Sequence, residues 1–571
     1  MSDSKKPQSN QEMPMEQRLM LAFGLMIVVL GGTSYFMPKP EPPAEPAKPP
    51  VKAVETTPAP APATPPAPAP KPARATKSVA APPAPVTKIA AAAEQSHVIE
   101  TDLYKVTFHT TGGVIRSWIL KRFKDSKGSP LELVNTKAGA LGYPLQYSFH
   151  LPQTADPYNA AGHQATLSPD RLGITFEYRG EGWHGRKAIR FEQGSYIAQV
   201  SSELTIAGVP KPHLLTWRGG FGDFSVVGAA SQQKNVYYLT NEGSLILKTA
   251  DTAEKEPQSN RGRFDFAGIA DGYFAALAIP DPNRDFELHT FQDKTANHVD
   301  GKTDPFPGMA IGGDTVNKFV FFTGPKDTDL LRRISPKLEN LVDFGYFAPI
   351  ARPLFLSLKW LNDSYIRNYG WTIVIVTVLI NFLLLPLKLS SMKSMKQMSS
   401  LQPEIKKIQE KYSGMSMKDP RKANQNQEMM DLYKKHGINP MGGCMPMALQ
   451  IPFFIAFYNV LSNAIELRGA PWLWVPDLSR LDGYYILPIA MVATQFWMQK
   501  MTPATTTDPA QQRMMLLMPL MLGFMFWSVM SGLVLYWLTG NVVGIIQQWF
   551  FNRMAQKPAA AAVPVSPTKK K

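Results

Sequence analysis

Cysteine is nearly missing from this chain of 571 residues: Cys444 stands alone. That excludes an intrachain disulfide framework and any zinc site built from several cysteines. Charge is thin as well, with Asp, Glu, Lys and Arg at 18% of the residues, below the roughly 25% of an ordinary soluble domain. There are nine histidines, none in an H-E-x-x-H or other close metal-ligand spacing. Neither a G-x-S-x-G elbow nor a phosphate-cradling loop of the G-x-x-x-x-G-K type occurs. Gly219-Gly220-Phe221-Gly222 is glycine-rich, but it sits between β-type runs with no following helix and reads as a turn. No enzyme, cofactor or metal site is expected.

What is present is uneven. Lys and Arg number 60 against 45 acids, a net charge of +15. Such an excess can signal nucleic acid, but the placement of the charges points to a membrane, and no direct nucleic-acid function is expected. An apolar run at 19–37 follows Lys5, Lys6 and Arg18. It is long enough to cross a hydrocarbon core of about 30 Å, and Tyr35-Phe36-Met37-Pro38 is a poor small-residue cleavage site, so an uncleaved anchor is expected. Further apolar runs cover 370–389, 441–464, 484–497, 514–530 and 533–550, several of them broken by proline. The expected count is six transmembrane helices, the last four within 441–552. Lys and Arg crowd into 390–439 and into the tail at 553–571, which places these segments and both termini (1–18 at the start) in the cytoplasm. The long 38–345 region then lies outside.

The intervening segments differ in kind. Of the 51 prolines, 18 fall between Pro38 and Pro85, so 38–95 reads as an extended Pro/Ala-rich linker. From 96 to 325 the pattern turns to strands. Tyr104-Lys105-Val106-Thr107-Phe108 and Ile174-Thr175-Phe176-Glu177-Tyr178 alternate, while Val236-Tyr237-Tyr238-Leu239 is continuously apolar. Gly-Gly, Asn-Glu-Gly and Asp-Pro turns separate these runs, the pattern of an antiparallel sandwich outside the membrane. The stretch 341–361 returns to helical spacing, with Phe347, Ile350, Leu354, Leu358 and Leu361 on one face. It suits an amphipathic helix on the bilayer surface or one packed on the β domain. The basic 390–439 segment reads as two polar helices around Gly414 and Asp419-Pro420. Their partners are expected among the ribosome, nascent chains and anionic lipid, unless the charges serve only topology.

The spans carry polar groups that lipid would penalise: Thr377 and Asn381, then Gln450, Asn459 and Asn463, then Thr494, Gln495 and Gln499, and finally Thr539 and Asn541. On short, proline-broken helices this set suggests a wet cavity rather than a dry bundle.

Several motifs carry a resemblance. Asn439-Pro440-Met441-Gly442-Gly443-Cys444-Met445-Pro446, followed by Gln450-Ile451-Pro452-Phe453, is similar to the third-span signature of the YidC/Oxa/Alb membrane-protein insertases. Glu466-Leu467-Arg468, Tyr485-Ile486-Leu487-Pro488, Asp508-Pro509-Ala510-Gln511-Gln512 and Ser531-Gly532-Leu533-Val534-Leu535-Tyr536 match in order and spacing. The resemblance covers about 340–552. The anchor, linker and outer domain resemble the Gram-negative form in architecture.

The resemblance implies a five-helix insertase core in the bacterial inner membrane, a periplasmic β-supersandwich and a cytoplasmic helical hairpin. It implies nascent membrane proteins as substrates, taken alone or with the Sec translocon, and contacts of 390–439 with the ribosome and the signal recognition particle receptor. By the family's pattern Thr377 lines a hydrophilic groove open to cytoplasm and lipid, with Gln495 and Trp537 as weaker members. Ile451, Pro452 and Met525 flank the slide along which a substrate helix leaves. Many members carry an arginine where this chain has Asn381. Lys388, two helical turns on, is a candidate source of the missing positive field, the alternative being a lysine snorkelling to water. A secondary transporter, or a membrane-anchored carbohydrate-binding domain, would explain parts of this pattern. Neither needs all of it: the first usually shows internal repeats, and the second has no use for five further spans.

Overall fold

The computed structural model describes residues 88–91, 93–149, 156–180, 182–225, 234–255, 257–299, 301–412, 421–438, 445–503 and 509–555. The anchor expected at 19–37, most of the 38–95 linker, Cys444 and the tail from 556 lie outside them.

Alternation builds the outer domain. Tyr104, Val106 and Phe108 point inward from Tyr104–His109 while Lys105 faces out, and Ile174, Phe176 and Tyr178 do the same in Gly173–Gly180. Val236 to Leu239, covered on both faces, is buried throughout. These strands form three antiparallel sheets. Four strands meander from Ser96–Glu100 to Pro130–Glu132. A ten-stranded sheet runs from Leu245–Thr249 through Phe274–Pro280, Val316–Pro325 and Ile197–Ile206 to Gln164–Leu167. Five strands run from Gln258–Gly262 through Phe286–Ala296, Thr303–Gly312 and Leu214–Trp217 to Gln146–Ser148.

Aromatic rings join the sheets into one sandwich core. Trp118 of the first sheet lies 5.7 Å from Phe191 and 6.3 Å from Phe321 of the second, and Phe321 lies 6.1 Å from Trp217 of the third. Each such side chain buries roughly 150–250 Å², enough to hold the sheets together without a disulfide. One polar group is sunk among them. Lys187 is 1% exposed, and its Nζ donates to the carbonyls of Gly112 (2.5 Å) and Leu145 (2.9 Å). Burial pushes its pKa down to about 7, and a neutral amine has two N–H donors for those two acceptors.

Among the described residues from 348 onward, nine α-helices are labelled: α1 (Ala348–Leu361), α2 (Tyr369–Leu383), α3 (Leu385–Ser400), α4 (Gln402–Lys411), α5 (Arg421–Lys435), α6 (Met445–Asn463), α7 (Ile486–Met501), α8 (Pro509–Phe526) and α9 (Ser531–Ala555). The buried face of α1 is Ala351, Leu354, Phe355 and Leu358, and it packs on α6 rather than lying free. The run 370–389, expected as one helix, is two helices that meet at Leu384. Pro386, in the first turn of α3, has no N–H to continue the ladder. At the other end of α2, Gly370 is required because a Cβ there would come within 2.1 Å of Trp472. The helices α4 and α5 pack through a small core of Met398, Leu401, Ile405 and Ile438, covered by Met429, Leu432 and Tyr433. Among the described residues no single helix is both long and apolar enough to cross a membrane. The segments Ala348–Ile366 and Tyr369–Leu383 pass that test only together, bent by 119°.

Candidate functional site: a buried polar seam between the helices

Two polar clusters lie along α9. The first gathers on α2 and α3. Thr377, fully buried, donates from its hydroxyl to the carbonyl of Ile373 (2.6 Å), the usual settlement of a threonine inside a helix. One turn on, the Asn381 side-chain amide donates to the carbonyl of Thr377 (2.8 Å). Its Oδ1 is left facing forward and accepts from Lys388 Nζ at 2.5 Å. Gln547 of α9 donates to the backbone carbonyl of Asn381 (3.3 Å), just before the break at Leu384. Its own Oε1, and the hydroxyl of Ser391 on α3, are buried with no hydrogen-bond partner.

The second cluster joins α7 to α9. Gln495 is 7% exposed and accepts from the Trp537 indole N–H at 3.3 Å. Asn541 donates to the carbonyl of Met491 and to the Thr494 hydroxyl, both at 3.3 Å. The Trp537 ring also packs against Phe454 of α6 (5.2 Å) and Phe526 of α8 (5.0 Å). Phe454 and Phe526 lie 5.7 Å apart. Ile451 and Pro452 precede the first of these rings and Met525 precedes the second, and all three are part-exposed.

The sequence-derived candidates therefore fall into two contacts and one pair of part-exposed edges. Thr377, Asn381 and Lys388 form a single relay. Gln495 and Trp537 bond to each other. Asn381 and Lys388 face one another, with the lysine side chain part-buried. Other polar residues of the runs turn elsewhere. Asn459 and Asn463 donate to the carbonyls of Phe344 (2.7 Å) and Asp343 (3.2 Å), in the segment that leads into α1. Gln450 reaches the Tyr536 hydroxyl at 3.0 Å. Sequence reasoning missed Gln547 and Ser391. The Gln547-Gln548 pair inside an apolar run was the available signal for the first, and nothing marked the second. Among the described residues no group of His, Cys, Asp and Glu is arranged to hold a metal ion.

A β-sandwich joined to a helical body with buried amides along an internal seam is a two-part architecture. Two family models divide the chain accordingly. Residues 96–357 match the YidC periplasmic domain, and residues 360–558 match the 60Kd inner membrane protein family. The membrane protein insertase YidC of Geotalea daltonii is 34% identical over 558 residues, covering 94% of this chain and 99% of its own. That of Syntrophus aciditrophicus is 36% identical over 482 residues, covering 81% and 86%. A crystal structure described as an active YidC insertase with its first transmembrane domain resolved is 18% identical over 80% of this chain and 93% of its own. Its TM-score of 0.35 is too low to bear on the fold. The chain belongs to the YidC family of membrane-protein insertases. It is an inner-membrane protein with a β-rich periplasmic domain, and its family is not one of enzymes.

Proposed function

We propose that this chain inserts nascent membrane proteins into the inner membrane, and that the Thr377–Asn381–Lys388 relay with Gln547 is the polar wall of the groove they enter. The observation that carries this reading is the 2.5 Å bond from Lys388 to Asn381. It brings a cation to the position where the sequence alone offers only a neutral amide. An entering acidic tail meets a positive field, while the amides and Thr377 keep that stretch of α2 hydratable. Water within half of the bilayer shortens the apolar barrier, and each CH₂ the substrate then moves into lipid returns about 0.8 kcal/mol. Gln495 and Trp537 close the seam on the α7 side. Ile451, Pro452 and Met525 form the part-exposed edges of α6 and α8 along which an apolar helix leaves.

The wider arrangement belongs to the same proposal. Six helices cross the membrane, including the anchor at 19–37, with five forming the insertase core. Both termini and 390–439 are cytoplasmic, the β domain is a supersandwich, and α1 lies at the outer leaflet. The basic α3–α5 region supports contacts with the ribosome, the signal recognition particle receptor and anionic lipid, and insertion proceeds alone or beside the Sec translocon.

The test uses purified protein in liposomes without other factors. Single-spanning substrates carry either an acidic or a neutral translocated tail, and protease protection of the tail is measured. At an effective dielectric of about 20, a cation roughly 8 Å from a carboxylate contributes about 2 kcal/mol. Lys388→Gln should therefore slow insertion of the acidic tail by up to about 30-fold and leave the neutral tail nearly unchanged. Equal loss for both tails would remove Lys388 from the groove. No protection by the well-folded wild type with either substrate would refute the insertase reading for this chain acting alone.

A further inference from the structure

The turn that follows α6 touches parts of the molecule far from it in sequence. Arg468 is the chief example. Its side chain is 10% exposed, and its Nη2 donates to Asp223 Oδ2 at 2.6 Å and to the Lys124 carbonyl at 2.9 Å. Its guanidinium carbon lies 5.5 Å from the ring centre of Tyr273 and 5.2 Å from that of Phe274. All four partners belong to the β domain, and they form a socket shaped for a planar cation.

The socket is braced from within. Asp223 Oδ1 accepts from the Ser225 amide (2.8 Å) and hydroxyl (2.6 Å), which leaves Oδ2 aimed at Arg468. Asp271 accepts from the Asp223 amide on one oxygen (2.9 Å) and from the amides of Tyr273 (2.8 Å) and Phe274 (2.7 Å) on the other. A single buried carboxylate thus holds both walls of the socket in register. Burial alone would raise the Asp223 pKa, but the Arg468 guanidinium and the Ser225 bonds hold it below the ordinary value.

Two further contacts converge on the same place. The Tyr273 hydroxyl donates to the Leu461 carbonyl in the last turn of α6 (3.4 Å). Lys359 of α1 lies 2.6 Å from Asp329, in the short helix Thr328–Ile334 that ends the β domain, and 3.6 Å from Glu466. Leu467 between the two charged residues is 1% exposed.

We propose that the Glu466-Leu467-Arg468 turn is the joint that fixes the periplasmic β domain to the helical body, with Arg468 as its positioning residue. Because the turn follows α6 directly, the joint also holds the periplasmic end of the helix that bears Ile451 and Pro452. The socket accepts a guanidinium and not merely a positive charge: two acceptors and two aromatic faces meet one planar group. The proposal rests on geometry outside the polar seam and does not depend on the groove assignment.

The experiment uses the full chain in lipid nanodiscs, with Cys444→Ser as background and spin labels at Val209→Cys on the β domain and Tyr484→Cys on the helical body, both exposed positions. Pulsed spin resonance reads the distance distribution between them. A single narrow distribution is expected for the background protein. Arg468→Gln and Asp223→Asn should each broaden it at least twofold, and Arg468→Lys should recover the narrow width only in part. Near-ultraviolet dichroism of the aromatic β core, unchanged in each variant, separates a loosened joint from an unfolded domain. Widths unchanged in Arg468→Gln would overturn the proposal. So would broadening in Arg468→Gln with none in Asp223→Asn, since the ion pair would then not be the joint.

Discussion

Replacing Glu466 with glutamine should remove one contribution to stability that is lost as pH rises from 4.5 to about 7. The Glu466 carboxyl is 12% exposed, and Lys359 stands 3.6 Å away while making a 2.6 Å bond to Asp329. Burial therefore dominates and pushes the Glu466 pKa from an ordinary 4.5 up to about 7, with Asp327 adding to the rise and Lys359 opposing it. For Lys359 the balance is reversed: burial would depress it, but the bond to Asp329 and the charge of Glu466 hold its pKa above the ordinary value. A carboxyl whose folded-state pKa is raised binds its proton more tightly folded than unfolded. Its contribution is most favourable below pH 4.5 and is lost as pH rises towards 7. Each tenfold change in proton affinity is worth about 1.4 kcal/mol, so the full swing is about 3 kcal/mol. At about 2–4 °C per kcal/mol for a domain of this size, that is a relative shift of about 6–12 °C. Thermal unfolding in detergent would be followed from pH 4.5 to 8 for wild type and Glu466→Gln, the difference cancelling the other carboxylates. The wild type should lose stability relative to the variant as pH rises, most steeply between 4.5 and 7. A difference in melting temperature that stays constant across that range would refute the reasoning.

Other perturbations probe separate elements. Gly370→Ala places a methyl group 2.1 Å from the Trp472 ring; it should cost about 1–3 kcal/mol, read as a lower melting temperature. Lys187, with its folded-state pKa depressed to about 7, makes the folded state bind fewer protons than the unfolded one, so stability rises with pH above 7. In Lys187→Met that rise between pH 7 and 9 should disappear, as measured by denaturant titration of the protein. Asn459→Ala leaves the Phe344 carbonyl without its 2.7 Å partner and should cost about 1–3 kcal/mol. It should leave the insertion ratio of acidic to neutral tails unchanged, whereas Lys388→Gln shifts that ratio.

Strand and helix type were legible wherever one face is buried and the other is not, because the period of the side chains then records the environment. Tyr104, Val106 and Phe108 are buried in alternation as their spacing required. The continuous apolar run at Val236 to Leu239 is a strand buried on both sides. Polar residues inside apolar runs were legible only as a class. Composition marks Asn381, Asn459 and Asn541 alike, yet their side chains settle on a neighbouring turn with Lys388, on the backbone before α1, and on α7. The residue type gives the need for a partner, and only the packing of helices supplies which one.

By itself the sequence determined the division into an outer β-rich region and a helical body, since hydrophobic period and the spacing of Lys and Arg are local or additive properties of the chain. It also determined the family, through motifs held at fixed spacing. Tertiary structure decided what no local pattern encodes. It divided 370–389 into two helices at Leu384 and set the Lys388 head on Asn381 rather than in water. It also brought Arg468 to Asp223 across 245 residues. Long-range pairs of this kind depend on the whole chain closing around them. Burial then turns an ordinary charged residue into a fixed contact, or raises the pKa of a carboxyl such as Glu466.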